Sequence, residues 1–158
     1  MLCALRASVP PEPASYRLDI DGDFGFSTVS SRVTGSWTFR SGHVDDDQWA
    51  ALPLMVVRYT PRLDDWYRAP ADGTFRIPVA VERQPGAPTA DVRSLTVAVS
   101  VDDGSTWRQI PLARQGEGWV ATVRNPASGF VSLRARASDS AGNTVQQTII
   151  RANAVRAD

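Results

Sequence analysis

One histidine stands beside three aspartates in His43-Val44-Asp45-Asp46-Asp47, the only place in the chain where an imidazole could exchange a proton with a sequence-neighbouring carboxylate. A hydrolytic pair of this kind also needs a nucleophile, and no G-x-S-x-G elbow occurs, so His43 reads as a linker residue. Glycoside chemistry would need two carboxyls at a set separation. The glutamates are only Glu12, Glu82 and Glu117, and nothing in the spacing of the aspartates picks out a pair. All 17 basic residues are arginine, which excludes P-loop phosphate binding, Ser-Lys dyads, Schiff bases and protein-kinase chemistry, each of which requires a lysine amine. The single Cys3 can form neither an intramolecular disulfide nor a zinc cluster. The expectation is therefore no catalytic, cofactor-binding or metal-ligating residue and no cofactor.

Two acidic groupings invite a calcium reading. In Asp19-Ile20-Asp21-Gly22-Asp23 the glycine precedes the third aspartate and no glutamate closes the loop, so an Asx turn ending a strand is the better account. Asp102, Asp103, Asp139 and Asn143 would suit either a weak surface cation site at one end of the molecule or the capping of turns.

Residues Ser100-Val101-Asp102-Asp103-Gly104-Ser105-Thr106-Trp107 spell S-x-D-x-G-x-T-W, the Asp box. Such hairpin turns recur in secreted bacterial β-proteins and, once per blade, in sialidase propellers. Asp102 can bond turn N–H groups, Gly104 tolerates positive φ, and Trp107 can seal the hairpin against a core. One copy, in a chain too short for several four-stranded blades, marks a structural fastener and not a sialidase.

These residues must be positioned by strands. Alternation predicts strands at Tyr16–Ile20, Ser30–Arg40, Thr74–Glu82, Val92–Asp102, Trp107–Leu112, Trp119–Val123, Phe130–Ser138 and Thr144–Ile150, and an apolar run predicts one at Leu52–Tyr59. Leu95, Val97, Val99 and Val101 should face inward, as should Val131, Leu133, Ala135 and Ala137. Pro78 points to an edge strand or a bulge. Seven strands in the last hundred or so residues, with Gly, Pro, Asp and Asn turns, predict an all-β antiparallel sandwich of immunoglobulin or fibronectin type III kind. The organisation expected is a flexible lead over 1–13, an N-terminal β-hairpin over 14–45, the sandwich over 46–153 and a tail over 154–158. The hairpin would either dock on the sandwich or belong to a preceding domain.

Apolar residues form 42% of the 158 and the formal net charge is zero, so a packed domain is expected, with no electrostatic reason for a nucleic-acid or membrane partner. Of the five tryptophans, Trp107 and Trp119 are expected in the core. Trp49 and Trp66, with Tyr67, are expected to pack on the sandwich ends or staple the hairpin, the alternative being an exposed platform for sugar or peptide.

Several stretches together carry a resemblance. They are Gly35-Ser36-Trp37-Thr38-Phe39-Arg40-Ser41, Leu52-Pro53-Leu54, Pro85-Gly86-Ala87-Pro88, Ser100 to Trp107, Phe130-Val131-Ser132-Leu133-Arg134, and Asp139-Ser140-Ala141-Gly142-Asn143 on to Arg151-Ala152. In order and spacing this text, over about residues 15–153, resembles the C-terminal region of actinobacterial subtilisin-like serine proteases. The resemblance implies a secreted, extracellular accessory module whose partner is an upstream catalytic domain or a macromolecular or glycan surface. In such proteases the Asp-His-Ser triad lies in that upstream domain, and no position here matches it, so the chain itself is expected not to be an enzyme. The alternative expectation is a stand-alone carbohydrate- or cell-surface-binding module.

Overall fold

Alternation builds the centre of the molecule. In β6 (Val92–Ser100) Val97 and Val99 are buried, and in β10 (Gly129–Asp139) so are Val131, Leu133, Ala135 and Ala137, while Arg134 and Arg136 fall on the opposite face. In the computed structural model, which describes residues 9–45 and 48–156, the two strands pair antiparallel with Leu133 opposite Val99 and Ala135 opposite Val97. The remaining strands are β1 (Ala14–Asp23), β2 (Arg32–Ser41), β3 (Met55–Tyr59), β4 (Arg68–Pro70), β5 (Thr74–Arg83), β7 (Arg108–Gln109), β8 (Leu112–Gln115), β9 (Gly118–Arg124) and β11 (Thr144–Arg156). The larger sheet runs β1-β2-β11-β10-β6-β7 and the smaller β3-β5-β9-β8. Pairing is antiparallel except for β4, which lies parallel to the end of β11.

The protein is an all-β sandwich with its core between the two sheets. Trp37, Phe39, Val97, Leu133, Ala135 and Val145 of the larger sheet face Met55, Val57, Ile77, Val79, Ala121 and Val123 of the smaller. The predicted strand Trp107–Leu112 is instead broken at Ile110-Pro111. The Ile110 N–H still donates to Val97 O at 3.0 Å in the larger sheet, whereas Pro111 O accepts from Thr122 N at 2.9 Å in the smaller. A proline, which has no N–H to lose, makes the crossing.

The N-terminal hairpin joins the larger sheet. β2 pairs with β11 from Thr38↔Thr144 to Arg32↔Ile150, and the Trp37 indole N–H donates to Met55 O across the core at 2.7 Å. β1 continues to Asp23, so the Asx turn expected around Asp21 is not formed. Asp21 lies within the strand opposite Thr34 and is bonded by the Arg32 guanidinium at 2.9 and 2.5 Å. At the other terminus β11 runs to Arg156, past the boundary expected at 153.

Three local expectations change for identifiable reasons. β3 begins at Met55, because Leu52-Pro53-Leu54 turns tightly, with Leu54 N donating to Leu52 O. Val101 is exposed, since β6 ends at Ser100 and the turn begins there. Pro78 sits in β5, an interior strand. Its carbonyl accepts from Thr60 N on the β3 side, just past Tyr59↔Val79 where the β3 pairing stops. The nitrogen of the same residue faces that way too, so the one reciprocal bond a proline cannot donate falls at the end of the β3 ladder, and the pairing with β9 is untouched.

β11 changes partners midway. Opposite the single Ser132 of β10 it carries Ile150, Arg151 and Ala152, with Arg151 at φ 56°. Pairing with β2 ends at Ile150 and pairing with β4 begins at Ala154, so the bulge is the point of exchange.

Candidate functional site

The Asp box is built from its own hydroxyls and carboxylates. The Ser100 hydroxyl donates to Asp102 Oδ1 at 2.6 Å and accepts from Gly104 N at 2.8 Å. Asp102 also accepts from Thr106 N at 2.9 Å and from the Thr106 hydroxyl at 2.5 Å. Hydrogen bonds from the Ser100 and Thr106 hydroxyls, then from the Thr106 N–H, hold the Asp102 carboxyl down at about 2. Asp103 and Gly104 both take positive φ, 55° and 89°, which explains a glycine at the second of these positions.

Trp107 corrects the sequence reading. Its indole N–H donates to Gly104 O at 2.9 Å, and the Arg134 guanidinium lies over the ring, 4.0 Å from the centroid. Arg134 points away from the core, so the box folds over the outer face of the larger sheet and its tryptophan does not enter the core. Trp119 does pack against the core, half-buried, with Arg114 over its ring at 4.4 Å. A second tie runs from the box to the bulge, where Arg151 donates to both Asp103 oxygens at 3.0 and 2.6 Å while lying over the Phe130 ring. The bonded guanidinium lowers the Asp103 carboxyl below its ordinary range.

The same end of the sandwich displays exposed aromatics. Trp66 is 74% exposed, Tyr67 63% and Phe26 90%. This overturns the expectation that Trp66 packs on a sheet end. The cause is Asp64, whose carboxylate organises the loop between β3 and β4. Its Oδ1 accepts from Trp66 N and Arg68 N, both at 2.9 Å, and its Oδ2 from Arg68 Nε at 2.9 Å. Partial burial alone would raise this carboxyl, but the N–H groups of Arg68 and Trp66 and the Arg68 guanidinium bring it below the usual value. With Tyr67 at φ 57° the chain turns both rings outward. The β1–β2 loop carries Phe24 and Phe26 in an edge-to-face pair with centroids 6.2 Å apart. It is tied to the bulge by Ser30 N donating to Arg151 O at 2.7 Å and Ser31 N to Ile150 O at 3.1 Å, while Tyr67 O accepts from Ala154 N at 3.0 Å. The two loops thus hang from neighbouring residues of β11.

Trp49 is 84% exposed, again against expectation, but is not part of this group. It lies in the connector entering β3 at Met55, opposite Arg83, and Arg83 bonds Asp139 at the far end of β10. Asp102 and Asp139 therefore occupy opposite ends of the larger sheet, and the four residues weighed for a shared cation site are not brought together. Asp139 is buried, which would raise its carboxyl, but it ends up lowered by bonds from the Asn143 side chain and N–H, then from Arg83 and Ala141 N. Among the described residues no three side chains of the metal-ligating acidic, cysteine or histidine type converge. His43 is exposed in the connector beside Asp45, and Asp46 and Asp47 lie outside the described residues, as does the 1–8 part of the expected lead. Glu82 pairs with Arg58 on the smaller sheet at 3.2 Å, away from Glu12 and Glu117 in sequence and in strand. The outer face of the larger sheet bears a shallow depression of about 420 Å³ lined mainly by Ser36, Ser94, Thr96, Arg136, Ser138 and Gln146.

Phe26 was not singled out by sequence; an aromatic between Gly25 and Ser27 in a turn-rich connector is the signal that could have found it. Arg134 and Arg151 carried no such signal, because their partners are distant in the chain. No protein-family model matches this chain, and no curated protein sequence matches it.

Proposed function

We propose that this chain is a non-catalytic accessory β-sandwich of a secreted subtilisin-like serine protease, and that it works by contact, stabilising or docking its partner and performing no chemistry. The observation that carries the contact reading is the pair of loops holding Phe26, Trp66 and Tyr67 exposed at one end. Exposed large aromatics are costly to leave in water, and an internal carboxylate that forces them outward points to a surface with an occupant. The accessory assignment is supported by the resemblance of residues 15–153 quoted above. A stand-alone carbohydrate- or cell-surface-binding module would use the same end.

The test is direct. Purified chain, free of other proteases, is expected to hydrolyse neither casein nor a peptide ester over prolonged incubation. Turnover that co-purifies with the chain removes the proposal.

A further inference from the structure

We infer that the end carrying Phe26, Trp66 and Tyr67 binds chains of neutral sugars, with Trp66 as the principal stacking face. This rests on the contact reading and adds the chemistry of the occupant.

The loop leaves little but ring faces to offer. Asp64 N donates to Arg68 O, Tyr67 N to Asp64 O, and Trp66 N and Arg68 N to the Asp64 carboxylate, while Tyr67 O is taken by Ala154 N. An extended peptide adding itself to a strand edge needs free main-chain groups, and most of those from Asp64 to Arg68 are already used. A proline helix needs an aromatic-lined groove, whereas rings exposed to 74% and 63% stand clear of their surroundings.

Charge points the same way. Thr60–Arg68 contains Arg62, Asp64, Asp65 and Arg68, two of each sign. Asp64 is bonded by Arg68, with Arg156 3.8 Å away, and Asp103 is bonded by Arg151. These pairs leave no excess of positive charge for an anionic ligand, since Arg156 is set against Asp64, and Asp102 at the same end is held by hydroxyls and an N–H and by no guanidinium. A neutral pyranose matches what remains, since its C–H face lies flat on an indole while its hydroxyls reach the indole N–H, the Tyr67 hydroxyl and water. The anchors of the two loops, Arg151 and Ala154, are three residues apart, at most about 10 Å along a strand.

The experiment uses the full chain with cellulose, chitin, a β-1,3-glucan and starch as probes, measured by sedimentation with the insoluble polymers and affinity electrophoresis with the soluble ones. Retention on at least one is expected, unchanged between low and high salt. Trp66→Ala should weaken it tenfold or more, Tyr67→Ala and Phe26→Ala less, and Trp66→Phe should restore part of the loss. An unaltered urea midpoint for Trp66→Ala shows that folding is not the cause. No retention on any of the four, retention indifferent to Trp66→Ala, or binding confined to a proline-rich peptide or a protease domain overturns the inference. Each of those outcomes leaves the casein result standing, so the two proposals fail separately.

Discussion

The guanidinium of Arg134 covers the indole of Trp107, 4.0 Å from the ring centroid, on the face of the larger sheet that points away from the core. The contact fastens the Asp box to β10, and its two halves should differ in worth. Arg134→Ala removes a half-exposed cation–π contact and should cost about 1 kcal/mol. Trp107→Ala also loses the bond to Gly104 O and the packing around Gly104 and Ile150, and should cost about 2 kcal/mol. Urea denaturation of both variants measures the difference. Equal costs would mean that the ring matters only as a platform for the arginine.

Acid should release the same fastener. The Asp102 carboxyl is held at about 2, against an ordinary value of 3.8, by the Ser100 and Thr106 hydroxyls and the Thr106 N–H. A lowered carboxyl stabilises the fold above its unfolded value and loses that contribution as pH falls through its folded value, here from about pH 4 to pH 2. Wild type should melt higher than Asp102→Asn at neutral pH, and the gap in Tm should close across that window. Because other aspartates titrate nearby, the informative quantity is the gap and not the wild-type curve. A gap that stays constant from pH 5 to pH 2 contradicts the hydrogen-bond assignment.

The Tyr59 hydroxyl is buried and finds no hydrogen-bond partner among the described residues, and burial raises its ionisation well above the ordinary value of 10.0. A buried hydroxyl in that state lost its water on folding and gained nothing in return. Tyr59→Phe should therefore leave stability unchanged or raise it by up to about 1 kcal/mol, unlike most core substitutions. Loss of more than that amount in chemical denaturation would reveal a partner for the hydroxyl in solution.

Much of this architecture was legible from period alone. Leu133, Ala135 and Ala137 fall in the core because β10 is an interior strand with one covered face, so alternation along it has a single meaning. Period does not say which sheet a strand joins. The crossing at Ile110-Pro111 and the pairing of β2 with β11, Thr38 opposite Thr144, depend on residues far apart in sequence. Aromatic type misled in a different way. Hydrophobicity placed Trp107 in the core and Trp66 against a sandwich end or the hairpin, yet Asp64 turns Trp66 outward and Arg134 receives Trp107 on the outer face. Polar residues two to four positions away, or on another strand, decided both cases.

Gly35 should respond to substitution against the general rule. Glycine inside a strand usually weakens it, so replacement by alanine is commonly neutral or helpful. Here the Trp37 ring lies back over Gly35, and a Cβ at that position would overlap it. The ring cannot swing aside cheaply, because it is buried and its N–H is bonded to Met55 O at 2.7 Å, the link between β2 and the smaller sheet. Gly35→Ala should then cost about 2–3 kcal/mol, the sum of overpacking and a weakened buried hydrogen bond. The Trp37 indole N–H resonance should shift in the same variant. If Gly35→Ala is as stable as the parent, the ring has an alternative seat, and the bond to Met55 O adds little to what the β11 ladder and Phe39 already hold.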